Sequence, residues 1–306
     1  MKPAWSVIFF TTLAGAGQGL FLALVAAEAL GEVPAGFLVS GALLALGLLA
    51  VGLAASFFHL GHPERAWRSA AMWRTSWLSR EVIVLPAFMA AVAAFGLSHF
   101  FSFERNHSLW IGSAGAVLCI ALFVCTGMIY ACLPFLQEWR TPLTVVNFIA
   151  FGCASGATAA AALAAWQHPP LARPYAAAAL ALGALAYLTR LAALARNRQL
   201  RPKSTLSTAI GVKHPKIVQI AHGAAGGSFN TREFFHGRPR EVVRAVRWTF
   251  LALVFPVPAA LLGGGADSAA VLGAAFAAQY AGLLAERWYF FAEAKHPQNL
   301  YYQAIA

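Results

Sequence analysis

Eight stretches of roughly 20 mostly apolar residues recur along the chain, and each can cross the hydrocarbon core of a bilayer as a helix. They run Ser6 to Leu30, Ala35 to Phe58, Glu81 to Phe101, Leu109 to Phe135, Leu143 to Trp166, Tyr175 to Leu194, Trp248 to Leu262 and Ala269 to Phe291. The seventh is short for a span, and the arginines just before it can snorkel to the interface. In lipid every peptide N–H and C=O needs an internal partner, which leaves helix as the form for such runs. Composition agrees. Of 306 residues, 60% are hydrophobic and 11% charged, against about 25% charged in a soluble domain. Mean hydropathy is +0.66. A disordered chain, a collagen, a small disulfide scaffold and a water-soluble globule are excluded. The expected fold is all-α, a polytopic membrane protein with eight transmembrane helices in two four-helix bundles, with residues 1–306 forming one membrane domain.

The first run is too long for a cleavable signal and is followed by no A-x-A site, and no twin-arginine signal is present. Gly15, Gly17 and Gly19, with the alanine-rich stretch Ala157–Ala165, allow helices to approach closely. Cys119, Cys125, Cys132 and Cys153 lie inside apolar runs without a CxxC pair or a zinc spacing, and read as buried free thiols.

Eight spans put both termini on one side. That side collects 20 of the Lys and Arg residues against 2, Arg105 and Arg173, on the other. Without Arg190 to Arg247 the count is still eight against two. By the positive-inside rule both termini lie in the cytoplasm. The net charge of +11 is then a product of topology and of attraction to anionic lipid; no nucleic-acid module accompanies it. The segment 196–246 is a basic cytoplasmic loop.

The densest polar stretch follows the second span, from His59 to Glu81. Pro63 suits the first turn of a helix. Trp67, Ala70, Ala71 and Met72 among Arg65, Arg68 and Arg74 describe a short amphipathic helix in the interface. Ser79 is the expected N-cap of the third span, with Glu81 in its first turn. Taken singly, these residues are interface anchors and a cap. Together, two histidines (His59 and His62), a carboxylate and Gly61 supply what a quinone site requires, namely hydrogen bonds to ring oxygens and a titratable link to water.

The run His59-Leu60-Gly61, then Pro63, Arg65-Ala66 and Ser79-Arg80-Glu81, resembles the signature of the dimethyl sulfoxide reductase membrane-anchor family. Glu286-Arg287 with Tyr289-Phe290 resembles that family's closing motif. The resemblance implies an anchor for a molybdopterin catalytic subunit and a four-cluster iron–sulfur subunit, which hold the molybdenum and the clusters. It also implies electron exchange with a membrane quinone, ubiquinone or menaquinone, without haem in this chain. It assigns the essential quinone-site histidine to His59 and the helix-start glutamate to Glu81. His62, Arg65, Arg68 and Arg80 are further expected quinone-site residues, and Glu286, Arg287 and Tyr289 either line the site or anchor the eighth span. Arg80 departs from the family, where a neutral polar residue is frequent. The loop Arg196–Val246 is absent from compact members. Within it Arg232, Glu233, Phe234 and His236 are expected to dock the iron–sulfur subunit, against a plain reading as membrane-surface anchors. By resemblance, respiratory dimethyl sulfoxide reductases present their catalytic subunits to the periplasm, and the similar quinone-linked sulfite dehydrogenases hold them in the cytoplasm. The charge count therefore favours the sulfite-oxidising branch in a bacterial inner membrane.

Inside the spans, Gln18 either hydrogen-bonds a neighbouring helix or reaches the quinone, and Tyr130 can do either. Thr144 and Asn147 cap or bridge near the start of span five. The nine histidines all fall at span ends or in loops, where no pair can ligate a haem within the bilayer. A transporter is the rival of a different class, and its sign is a charge or a broken helix at the midplane. A purely structural anchor is the third reading.

Overall fold

The computed structural model describes residues 1–58, 60–221, 233–265 and 268–301. Among them there is no strand. Eight helices are long and apolar enough to cross a membrane. In chain order they are α1 (Trp5–Leu30), α2 (Ala35–Phe57), α3 (Trp77–Phe100), α4 (Arg105–Ala131), α5 (Pro142–Gln167), α6 (Ala172–Arg198), then α8 (Arg240–Leu253) with α9 (Pro256–Gly264), and α10 (Ala269–Glu293). A short α7 (Leu206–Ile210) lies between α6 and α8. Helices α1 to α4 pack in one group and α5, α6 and α8 to α10 in another, joined along α1 and α5. The Met1 amine donates to the Ala294 carbonyl at 2.8 Å, so Met1 and the end of α10 meet on one face, here called the terminal face.

The α1–α5 seam shows why glycine stands where it does. A Cβ on Gly156 would lie 2.0 Å from the Gly19 carbonyl carbon, and one on Gly19 would lie 2.0 Å from the Gly152 oxygen. The two backbones touch, and only hydrogen fits between them. Outward positions such as Leu43, Val51, Val117 and Leu188 are exposed, as lipid-facing positions should be. Exposed Trp5, Trp67, Trp73 and Trp248 ring the terminal face, and Trp110 and Trp166 the far face, as in an interfacial aromatic belt.

The seventh span differs from expectation. Its helix begins at Arg240, not Trp248, and breaks between Leu253 and Pro256. Pro256 and Pro258 have no N–H, so the carbonyls of Ala252 and Val254 lose the donors that a continuous helix would supply. Gln279 of α10 donates instead to the Val254 carbonyl at 3.4 Å, within a buried environment. Gly282 lets α10 come close there, since its Cβ would meet the Leu253 backbone at 2.7 Å.

The cap of α3 also corrects the sequence reading. Ser76 is the N-cap, and its hydroxyl accepts from Ser79 N at 3.3 Å. Ser79 therefore sits in the first turn and Glu81 in the second, beyond the capping positions. The stretch before it, Pro63–Met72, is wound as a 3₁₀-helix with Pro63 at its start. Cys132 is exposed at the end of α4, in contrast to the buried thiol that its apolar run suggests.

Candidate functional site

The first turns of α3 separate two neighbours. Arg80 folds back towards the loop, donating from Nε to Trp73 O at 2.9 Å and from Nη2 to Arg74 O at 2.8 Å. Its guanidinium lies 4.2 Å from the Trp77 ring centroid. Glu81, one residue on, faces the bundle and is 5% exposed. Thr126 of α4 donates its hydroxyl to the Glu81 carboxylate. One hydroxyl leaves a carboxylate with acceptor capacity to spare. A buried carboxyl so placed can hold a proton and hand it to an acceptor brought alongside.

His62, Arg65 and Arg68 remain on the exposed 3₁₀ stretch. His62 Nδ1 lies 3.0 Å and Arg65 Nε 3.7 Å from the Glu64 carboxylate. Arg68 lies 5.5 Å from the Trp67 ring. These groups make a cationic, aromatic rim on the terminal face, separate from the buried Glu81. His59 and Arg232 lie outside the described residues.

Behind Glu81 an aromatic box closes the terminal end of the bundle. Tyr130 stacks on Phe148, with centroids 5.5 Å apart, and meets Trp139, Phe290 and Phe291 edge-on. Trp139 donates its Nε1 hydrogen to Phe290 O at 3.0 Å. Thr144, near the start of α5, donates to Trp139 O at 2.7 Å, while the cap itself is Thr141. Arg287 lies 3.7 Å from the Phe148 centroid. Tyr289 faces the other way and packs on Phe250 at 5.3 Å.

Glu286 and Arg287 do not stand alone. Arg190 of α6 places Nε 2.8 Å from Glu286 Oε1, and Arg287 Nε is 3.4 Å from Glu286 Oε2. Arg190 also approaches Glu293 at 3.6 Å. Arg190, Glu286 and Arg287 are at most 4% exposed. The charge count from sequence places Arg190 on the basic face, and the structure buries it. Its position inside an apolar run was the available signal, because a buried charge needs a partner. Thr126 gave no such signal.

A cavity of about 20 Å³ lies between α1, α4, α5 and α10, with Gln18, Thr126, Ser155 and Arg287 in its wall. Gln18 donates from Nε2 to Cys119 O at 3.1 Å, the helix-bridging option, while its side chain also borders this cavity. A larger apolar crevice of about 510 Å³ opens towards the far face, between α1, α5 and α6. At that face Glu28 of α1, also unremarked in the sequence, accepts from Ser108 and lies 3.4 Å from His99. Among the described residues no group of three or more His, Cys, Asp or Glu side chains is arranged to hold a metal ion.

The described part of the segment expected to dock a partner, Glu233 to His236, is held by contacts near both ends of the chain. Lys2 N donates to Glu233 O at 2.9 Å, and Asn299 Nδ2 to Phe234 O at 3.1 Å. Phe234 stacks on His296 with centroids 3.7 Å apart, and His236 Nδ1 accepts from Arg238 N at 3.1 Å. Burial holds His236 and His296 below the usual imidazole range.

The family model for the DMSO reductase anchor subunit (DmsC) matches residues 1–256. The chain belongs to this family. It is 53% identical to a sulfite dehydrogenase subunit of Allochromatium vinosum, with the whole of both chains covered. It is thus a multi-pass membrane anchor subunit of an oxidoreductase. Membership also disposes of the transporter reading, although the break in the seventh span is a feature of the kind transporters use. In this anchor the break is closed by Gln279 and packed by glycine.

Proposed function

We propose that this anchor is the quinone-reactive subunit of a sulfite-oxidising complex, passing electrons from a partner's iron–sulfur clusters to a membrane quinone. The observation that carries the reading is Glu81, a carboxyl withdrawn into the bundle at the terminal face with one hydroxyl for a partner. The name of the Allochromatium relative supports sulfite as the electron source. A purely structural anchor gains nothing from a buried acid there, since burying a charge costs several kcal/mol unless it is well paired.

Quinone, as substrate, takes up two electrons and two protons and leaves as quinol. Glu81 holds a proton for one ring oxygen. His59, by resemblance, hydrogen-bonds the other. The exposed Arg65 and Arg68, with Trp67 and Trp73, grip the four-cluster iron–sulfur subunit or anionic lipid at the rim. Glu233, Phe234 and His236 present a fixed edge to the same partner, which carries the molybdopterin catalytic subunit with it. The preponderance of Lys and Arg on the terminal face supports a cytoplasmic orientation of that face in a bacterial inner membrane.

The test uses the intact complex in native membranes. His59→Ala and Glu81→Gln are expected to abolish sulfite-to-quinone activity and to leave dye-linked sulfite oxidation at the parental rate. Quinone-linked turnover at the parental rate in both variants would reject the reading.

A further inference from the structure

A quinone site withdrawn from water needs a path for its protons, and a series of polar groups is buried between α6, α10, α1 and α4. Its outer end is Glu293, the last residue of α10, whose side chain is 16% exposed. Arg190 bridges inward, 3.6 Å from Glu293 and 2.8 Å from Glu286. Glu286 then lies 3.4 Å from Arg287. Arg287 forms part of the wall of the 20 Å³ cavity, and Thr126 forms another part. Thr126 donates to Glu81.

That volume holds about one water molecule. The wall suits it. The hydroxyls of Thr11 and Ser155 donate to carbonyls of their own helices, which leaves lone pairs able to accept from a water. The ion cluster is also short of partners. Glu286 Oε2 and Arg190 Nη2 are buried without a well-directed hydrogen bond. A cluster built only for stability would saturate such atoms.

We propose that Glu293, Glu286, a water in this cavity and Thr126 form the route by which protons from the aqueous phase at the terminal face reach Glu81. The two glutamates are the carriers. Arg190 and Arg287 are positioning residues, Arg190 next to both carboxylates and Arg287 next to that of Glu286. Each reduced quinone removes two protons, the two electrons arriving from the partner subunits, and each proton lost from Glu81 is replaced along this line. The inference rests on the reading of Glu81 given above.

Glu286→Gln and Glu293→Gln in the intact complex test it. Glu286→Gln is expected to slow sulfite-to-quinone turnover at least 10-fold, with dye-linked sulfite oxidation unchanged. It should raise the solvent deuterium isotope effect on the remaining rate, and a small permeant weak acid such as formic acid should restore part of it. Glu293→Gln should produce a smaller loss, rescued in the same way. Should Glu286→Gln fail to assemble, Arg190→Gln/Glu286→Gln keeps the charge balance and carries the same expectation. Parental turnover and isotope effect in these variants, alongside a dead Glu81→Gln, would overturn the route and leave the quinone reading intact. A loss that no weak acid relieves would also overturn it, since that marks a structural role. Parental turnover in Glu81→Gln would remove the quinone reading itself.

Discussion

Substituting glycine by alanine at two positions on the α1–α5 seam should give opposite results. At Gly156 the new methyl carbon meets the Gly19 carbonyl carbon at 2.0 Å and Leu20 N at 2.1 Å. Both are backbone, so no rotamer can relieve them, and the helices must part by more than 1 Å to reach an ordinary contact near 3.4 Å. A gap of only about 0.5–1 Å already forfeits about a quarter to a half of the dispersion across a contact, and this one is larger. Overpacking costs about 1–3 kcal/mol, and the upper end applies here. The gain in helix propensity returns about 1 kcal/mol, leaving a net loss of roughly 2 kcal/mol. At Gly15, on the same seam, the added carbon meets only the Gly152 Cα, at 3.7 Å. There the propensity gain of up to about 1 kcal/mol stands unopposed. The two variants should therefore differ by roughly 3 kcal/mol, on the order of 100-fold in the unfolding equilibrium. Titration of the purified chain in detergent with dodecyl sulfate, followed by circular dichroism, measures the difference. Equal midpoints for Gly15→Ala and Gly156→Ala would refute the account of the seam as backbone contact.

Three further outcomes follow from buried contacts. Arg190→Met leaves Glu286 buried with a single cationic neighbour and should destabilise the chain by about 3–5 kcal/mol, in the same titration; an unchanged midpoint would show the pair to be dispensable. Gln279→Leu removes the donor to Val254 O in the broken span and should cost about 1–3 kcal/mol, whereas Gln279→Asn with its shorter reach should fall between. The third concerns pH. Burial lowers the Met1 amine from its ordinary 8.0 to about 6, partly opposed by the Glu138 carboxylate, and His236 and His296 shift in the same direction. Between pH 8 and 6 the released chain binds protons that the clasped one does not, so the clasp of Met1 on Ala294 is strongest above pH 8 and weakens on acidification through pH 6. The amine accounts for at most about 2–3 kcal/mol of this. Hydrogen exchange of residues 233–238 should quicken from pH 8 to pH 6 after correction for intrinsic rates; constant protection would refute the linkage.

The spans were legible because lipid imposes one rule on every residue of a crossing segment, and a run of 20 apolar residues satisfies it wherever it occurs. Their ends were less so. Ser76 caps α3 in place of the expected Ser79 because a cap depends on where the chain turns in, which the order of residues does not reveal. The break at Leu253–Pro256 could be read from Pro256 and Pro258, but its repair by Gln279 joins positions 25 residues apart and belongs to packing. Glu81 was visible as a carboxyl at the head of an apolar run. Its partner Thr126 was not, since a threonine in an apolar helix ordinarily bonds its own backbone. Arg190 and Glu28 stood in plain view inside apolar runs, where a charge calls for a partner, and only the tertiary fold identifies Glu286, Ser108 and His99 as those partners.

The polar groups of α1 bear on what turnover does to the membrane. They run from Thr11 and Thr12 to Gln18 and stop. The next ionisable group on this helix is Glu28, ten residues and about 15 Å further along. Between them Leu20, Phe21 and Leu24 are fully buried, and Phe21 packs edge-on against Phe88 and Phe95 at 5.3 and 5.4 Å. Three packed phenyl rings offer a proton no group to rest on, and moving a bare charge between them carries the desolvation cost that keeps charges out of bilayers. On this face of α1 the layer separates the Glu28–Ser108–His99 group from Glu81, while the opposite face borders the 510 Å³ apolar crevice, where Tyr175 donates to Ala23 O at 3.1 Å. If electrons and protons both reach the quinone from the terminal face, no charge crosses the membrane. Sulfite-driven quinone reduction in sealed vesicles should then build no membrane potential, and its rate should be indifferent to an uncoupler. A potential that appears with sulfite and collapses with the uncoupler would show that protons pass the Phe21–Phe88–Phe95 layer, and would refute the argument from its dryness.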